Sequence, residues 1–287
     1  MINEIAVISG KGGTGKTTLA LSIIPYFEDI VIADCDVDAP DMKILLSERV
    51  LREDTFIGFK RPEIDYTLCT HCGLCYEKCN FNAISENIEI KKGSCEGCGV
   101  CSYVCPAGAI TNKDYPIGKI YKKQTAFGPM IDARLTPGEE SSGKLVSEVR
   151  KRSKEVALEE NAKTIIIDGS PGVACNVIST ISGVSKALIV TEPTLSGIHD
   201  LKRVLELSRM FSVDAKVVIN KYDLNLAMVK EIETYCDMTN TDIVLKMPFD
   251  KKIVESISNL IIPSTSNISF FTSKEWLSFI EYLQKEK

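Results

Sequence analysis

Ile5-Ala-Val-Ile-Ser9-Gly10-Lys11-Gly12-Gly13-Thr14-Gly15-Lys16-Thr17-Thr18 decides the fold of this 287-residue chain. Ile5 to Ser9 is a short apolar run that stops at a Gly-rich turn, the pattern of a buried parallel strand. Gly10 to Thr17 matches G-x-x-x-x-G-K-[ST], and a helix is predicted from about Lys16 to Phe27, with Pro25 weakening its last turn. The glycines let backbone N–H groups close around phosphate oxygens, and the following helix turns its positive end toward them. Lys16 supplies a mobile charge for β- and γ-phosphates, and the Thr17 hydroxyl is a ligand for Mg2+. The loop Gly10, Lys11, Gly12, Gly13, Thr14, Gly15, Lys16, Thr17 and Thr18 is therefore the expected nucleotide cradle.

Further strands follow in the same style. Ile30 to Ala33, Thr164 to Ile167, Ala187 to Val190 and Lys216 to Ile219 read as buried strands, and Ile243 to Leu245 as a last one. Helical periodicity covers Gly143 to Glu160, Ser196 to Phe211 and about Ser273 to Lys287. Strands alternating with helices imply an α/β fold, a doubly wound and mostly parallel sheet.

From about Gly58 to Asn112 that pattern stops, and cysteines, glycines and polar turns replace it. The segment holds an internal repeat. Cys69, Cys72, Cys75, Cys79, Ala83 and Ile84 recur 26 residues later as Cys95, Cys98, Cys101, Cys105, Ala109 and Ile110. Each run has C-x2-C-x2-C-x3-C spacing, that of bacterial ferredoxins with two [4Fe–4S] clusters, where the fourth cysteine serves the other cluster. The spacing assigns Cys69, Cys72, Cys75 and Cys105 to one cluster, and Cys95, Cys98, Cys101 and Cys79 to the other. Zinc ribbons pair C-x2-C with a distant second pair, unlike these runs. Asn80 stands where a proline usually follows the run, as Pro106 does in the second; no ligand is lost. His71 reads as a surface side chain, and His199 sits in a helical stretch without an evident partner. The expected layout is a first ATPase part over 1–57, an inserted small α+β ferredoxin-like domain over 58–113, and a second ATPase part over 114–287.

Lys11, a second lysine inside the loop, makes K-G-G-x-G-K-[ST]. Here the sequence resembles the deviant Walker-A ATPases: the MinD, ParA, Mrp and nitrogenase iron-protein group. Asp34-Cys-Asp36-Val-Asp38 after the second strand and Asp168-Gly-Ser-Pro-Gly172 after the third apolar run, Thr164 to Ile167, resemble the same group. The resemblance implies that Lys11 enters a partner subunit's nucleotide site, giving an ATP-sandwiched dimer with a second copy or a paralogue. It implies that Asp36 organises water and Mg2+, with Asp38 as a helper, that Asp168 holds Mg2+ through water, and that the Gly172 N–H reaches the γ-phosphate. It implies that Asn220 bonds adenine and that Pro248 falls in the adenine-side loop. Taken alone, an Asp at a strand end is a turn or cap residue, and Asn and Pro are common in loops.

Cys175 lies seven residues after Asp168, where the iron protein of that group has a cluster cysteine, but the stretch from Pro106 to Asp168 has no cysteine to accompany it. It reads either as a cluster ligand between subunits or as a small apolar residue; Cys35 and Cys236 read as core thiols.

Composition bounds the rest. The net charge of −5 favours neither nucleic acid nor an anionic membrane as a partner. No apolar stretch approaches bilayer length, and Ile5 to Ile8 is too short for a signal segment. A cytoplasmic protein with no stable membrane anchor is expected, and in that reducing compartment eleven cysteines read as thiols. The leading expectation is ATP hydrolysis, slow without a partner, coupled to electron transfer through two [4Fe–4S] clusters to an unidentified redox or acceptor protein. The alternatives are a cluster or metallocentre assembly ATPase, and a MinD-like positioning ATPase. Assembly carriers of the Mrp branch use a late C-x-x-C, which is absent after Cys105.

Overall fold

The computed structural model describes residues 2–46, 49–139 and 142–285. In chain order its elements are β1 (Asn3–Ser9), α1 (Lys16–Ile23), β2 (Ile30–Asp34), α2 (Met42–Leu45), β3 (Arg49–Ile57), β4 (Arg61–Ile64), α3 (Leu74–Glu77), α4 (Val100–Tyr103), β5 (Ile110–Lys113), β6 (Pro116–Gln124) and β7 (Pro129–Leu135). Then come α5 (Ser142–Glu159), β8 (Thr164–Pro171), α6 (Cys175–Ile181), β9 (Lys186–Thr191), α7 (Leu195–Met210), β10 (Ala215–Asn220), α8 (Leu226–Met238), β11 (Ile243–Met247), α9 (Lys251–Ser258) and α10 (Lys274–Gln284). Two compact units result: Met1–Glu53 with Ile120–Arg134 and Ser142–Lys287, and Asp54–Lys119 with Leu135–Ser141.

The main sheet has nine strands in the order β11-β10-β9-β1-β8-β2-β7-β6-β3. Every pairing from β11 through β7 is parallel, so the fold is α/β with a large, mostly parallel sheet. β1, β2 and β9 are buried along their whole length, which explains the continuous apolar runs at their centres. β6 turns into β7 through a four-residue connection in which the Thr125 N–H donates to the Gly128 carbonyl (3.0 Å), and so short a link joins antiparallel neighbours. The carboxyl ends of β1, β2, β8, β10 and β11 therefore lie on one edge of the parallel sheet, where ligands of open α/β sheets bind.

The helix after the phosphate loop is shorter than the sequence predicts. It ends at Ile23, and Ile24–Tyr26 is a separate 3-10 turn holding Pro25. Pro25 has no N–H to extend the α-helical ladder but suits the first positions of a new turn. α10 packs Trp276, Phe279, Ile280 and Leu283 into the core. The Trp276 ring meets Phe271 edge-on at 4.8 Å and Tyr26 at 5.8 Å. Asn3 Nδ2 and Lys186 Nζ each donate to the Leu283 carbonyl (both 3.0 Å), closing the helix's negative end. The predicted end of this helix at Glu286 and Lys287 lies outside the described residues.

The second unit is wider than the 58–113 segment read from the cysteines. It takes in the end of β3 and the start of β6, and the chain returns to it for Leu135–Ser141. β4 and β5 form an antiparallel pair, Arg61 opposite Lys113 and Ile64 opposite Ile110. Its small core gathers Ile64, Cys75, Ile84, Ile88 and Ile110. The sequence repeat is visible as structure: α3 and α4 each start after a left-handed glycine, Gly73 at φ 79° and Gly99 at φ 77°. Only glycine adopts that conformation without cost, so these two positions set where each cysteine run turns into its helix.

Candidate functional site

The phosphate loop bridges β1 and α1. Gly15 has φ 89°, and a Cβ there would lie 2.2 Å from Asn220 Nδ2, so no larger residue fits. Lys16 Nζ donates to Asp168 Oδ1 (2.7 Å) and lies 3.5 Å from Asp36 Oδ2. The Thr17 hydroxyl donates to Asp168 Oδ2 (2.7 Å). The structure thus gathers Lys16, Thr17, Asp36 and Asp168 at the ends of β2 and β8. Asp38 is exposed.

Burial pulls the Lys16 ammonium down, but the charges of Asp168 and Asp36 more than reverse this, so its pKa stands above the ordinary value. Asp36 is raised by burial, with Lys16 opposing. Asp34, which the sequence reading left without a role, is fully buried behind them. It accepts from the backbone N–H of Asp36 (3.1 Å) and of Met42 (3.2 Å), which shapes the loop that carries Asp36. Burial holds its carboxyl well above the usual range, and the charge of Asp168 pushes the same way.

Lys11 folds onto its own chain. Its Nζ donates to Ser196 Oγ (2.9 Å) and lies 3.9 Å from Glu192 Oε2. The Gly172 N–H donates to the Ser9 carbonyl (2.8 Å), so it must leave that partner to meet a phosphate. Asn220 Nδ2 donates to the Thr14 carbonyl (2.8 Å), and the buried Thr14 Oγ1 has no hydrogen-bond partner among the described residues. Beside the loop opens a cleft of about 260 Å3, lined by Gly13, Gly15, Thr18, Asn220 and Pro248. Its apolar wall is Met247, Phe249, Ile253, Val254 and Ile257. Those residues carry no motif, though the spacing of Ile253, Val254 and Ile257 marks one face of a helix.

In the second unit the eight clustered cysteines fall into two groups of four. Cys69, Cys72, Cys75 and Cys105 line one small cavity with Ile88 and Ile110. Cys79, Cys95, Cys98 and Cys101 line another with Pro62, Phe81 and Ile84. The last cysteine of each run thus sits with the first three of the other. The Ala83 N–H donates to Cys79 Sγ (3.3 Å). Burial pushes the Cys101 thiol up to about 11 and raises Cys75. Among the described residues no three His, Cys, Asp or Glu side chains stand close enough to hold a single metal ion. Four sulfurs around an apolar cavity fit a cubane, whose ligands spread over its corners.

All eleven cysteines are free. Cys35 and Cys236 are buried in the first unit, and burial raises both thiols, Cys236 to about 11. Cys175 is the exposed first residue of α6. His71 is exposed, and His199 Nδ1 lies 3.3 Å from Asp200 Oδ1. Among the described residues no helix is long and apolar enough to cross a membrane.

Comparison with known proteins places this geometry. The family model of the CobQ/CobB/MinD/ParA nucleotide-binding domain matches residues 5–263. The chain is similar to MJ0578 of Methanocaldococcus jannaschii, 34% identical over 93% of this chain and 92% of that one. A second protein of that organism, MJ0579, is 30% identical over 88% of this chain and 87% of its own length. Among solved structures, the septum site-determining protein MinD of Pyrococcus horikoshii, in complex with Mg-ADP, superposes with a TM-score of 0.54 at 18% identity, covering 99% of this chain and 95% of that one. With a phosphate loop on β1, its carboxylates on β2 and β8 and a family match across nearly the whole chain, the protein belongs to the CobQ/CobB/MinD/ParA nucleotide-binding domain family.

Proposed function

We propose that this chain is a cytoplasmic ATPase that binds ATP and Mg2+ at its phosphate loop and couples hydrolysis to electron transfer through two [4Fe–4S] clusters held in the cysteine unit. The observation that carries the reading is the crossed grouping of the eight cysteines around two cavities. Scattered thiols have no reason to exchange their fourth member in this way, and two-cluster ferredoxins do so by rule. When bound, the clusters supply single-electron carriers at fixed positions.

The rest of the chemistry belongs to the chain. Lys16 would turn from Asp168 to the β- and γ-phosphates, leaving Asp168 and the Thr17 hydroxyl to face Mg2+. Asp36 would orient the attacking water, held at its post by Asp34. The cleft beside Asn220 and Pro248 has the size and apolar wall for a purine base. Lys11 would exchange Ser196 and Glu192 for the phosphates of a partner subunit, a second copy or a paralogue. The Mg-ADP in the solved MinD relative supports a nucleotide at this loop. The second reading, a positioning ATPase, is supported by the family match; α10 buries its apolar face in the core, so that face is not what would meet a membrane.

The test is anaerobic purification followed by metal analysis and redox titration with and without ATP. About eight irons per chain are expected, from two four-iron clusters, with midpoint potentials that move when ATP binds. Zinc or no metal sinks the cluster reading. Stable potentials combined with ready loss of iron to an apo-acceptor would favour cluster assembly instead.

A further inference from the structure

Three buried carboxylates stand in a row across the sheet. Asp34 on β2 is in register with Asp168 on β8 at one side and with Asp132 on β7 at the other. Their exposures are 0%, 1% and 0%. A lysine holds each end of the row. Lys16 Nζ is 2.7 Å from Asp168, and Lys123 Nζ, itself buried, is 2.8 Å from Asp132. In the middle Asp34 feels the charges of Asp168, Lys16 and Asp132 together.

The Lys123–Asp132 pair is a poor device for stability. Taking two charges out of water offsets most of their attraction, and apolar residues of similar size do as well or better. Its placement is informative instead. Lys123 comes from β6 and Asp132 from β7, and these two strands lead in sequence to the second unit: β6 starts at Pro116 and β7 ends at Leu135, both residues of that unit. Asp34 joins the two lysine-held acids in register, between them. Anything that draws Lys16 from Asp168 must redistribute the field on Asp34, and through it on Asp132.

We propose that the Asp168–Asp34–Asp132–Lys123 row reports occupancy of the phosphate loop to β6 and β7, the strands that carry the cysteine unit. Phosphates take Lys16, Asp34 loses the opposing charge of Lys16, and the Lys123–Asp132 pair readjusts on its own strands. The link rests on reading the loop as a nucleotide site, and it does not depend on the clusters.

Hydrogen–deuterium exchange on the full, anaerobically purified chain tests it, with and without Mg2+ and a non-hydrolysable ATP analogue. Protection is expected at residues 10–18, together with a change of about twofold or more in exchange across 120–134. In the neutral pair Lys123→Met with Asp132→Asn, protection at 10–18 should persist while the response at 120–134 disappears. A wild-type chain that protects 10–18 and leaves 120–134 unchanged overturns the link, as does a neutral pair that keeps the full response. If the neutral pair fails to fold, the wild-type measurement still decides. Absence of protection at 10–18 would sink the nucleotide reading and the link with it.

Discussion

Asp34 shows how one buried side chain sets a pH dependence. In the unfolded chain its carboxyl titrates near the ordinary value of 3.8, whereas burial in the fold holds the proton to a higher pH. The folded state therefore binds more protons over that interval. This contribution is complete below the unfolded value and is lost as pH rises through the folded one. In nucleotide-free protein the contribution of Asp34 to stability should fall as pH climbs above about 4, and Asp34→Asn should remove that part of the slope. Denaturant midpoints collected across the range check it; equal slopes in both proteins would contradict the assignment. The D-x-D pattern drew attention to Asp36, yet nothing in the sequence separates an acid that faces the phosphates from one that props the loop from behind. That difference lies in backbone N–H groups of Asp36 and Met42, which carry no sequence signal.

At the scale of the element, α10 is a structural keystone of the first unit. Trp276 is 0% exposed and sits among Tyr26, Phe270, Phe271 and Phe279. Trp276→Ala should cost about 3–5 kcal/mol, because it removes the largest fully buried side chain and leaves a void. Equilibrium unfolding reads this directly, and a loss under about 1 kcal/mol would mean that the helix is only loosely docked. The strands built on continuous apolar runs were legible from the start, and so were the motif loops between them. β3, β6 and β7 were not. β6 hides because Lys122, Lys123 and Gln124 look like a solvated turn, while Lys123 is in fact buried against Asp132. Asp132 interrupts β7 for the same reason. β3 shows most of its residues to solvent, so no face accumulates an apolar pattern. Charges buried in pairs and strands exposed on both sides both escape hydrophobic periodicity.

For the molecule as a whole, the decisive quantity is whether two nucleotide sites meet. Lys11 is satisfied within its own chain by Ser196, with Glu192 nearby. Lys11→Ala should leave ATP affinity within about threefold of the wild type, since the side chain faces away from its own loop acids, and should abolish ATP-dependent dimers. Light scattering in saturating ATP, beside a direct binding titration, distinguishes the two effects; a variant that dimerises normally would remove Lys11 from any role in trans. The cysteine spacing marks out a segment of its own, and the structure has two compact units. The edges of the cysteine unit were not legible, because the strands that enter and leave it are the ones whose polarity conceals them.

The exchanged cysteines have one more consequence. Each 26-residue half of the cysteine repeat supplies three sulfurs to one cavity and one to the other. Neither half closes a four-sulfur chamber alone. A single copy of the repeat would complete four-sulfur chambers only by pairing with a second copy and trading last thiols, a pairing that dilution weakens. Carrying both copies in one chain holds them at roughly millimolar effective concentration, and a lesion in either half damages both chambers.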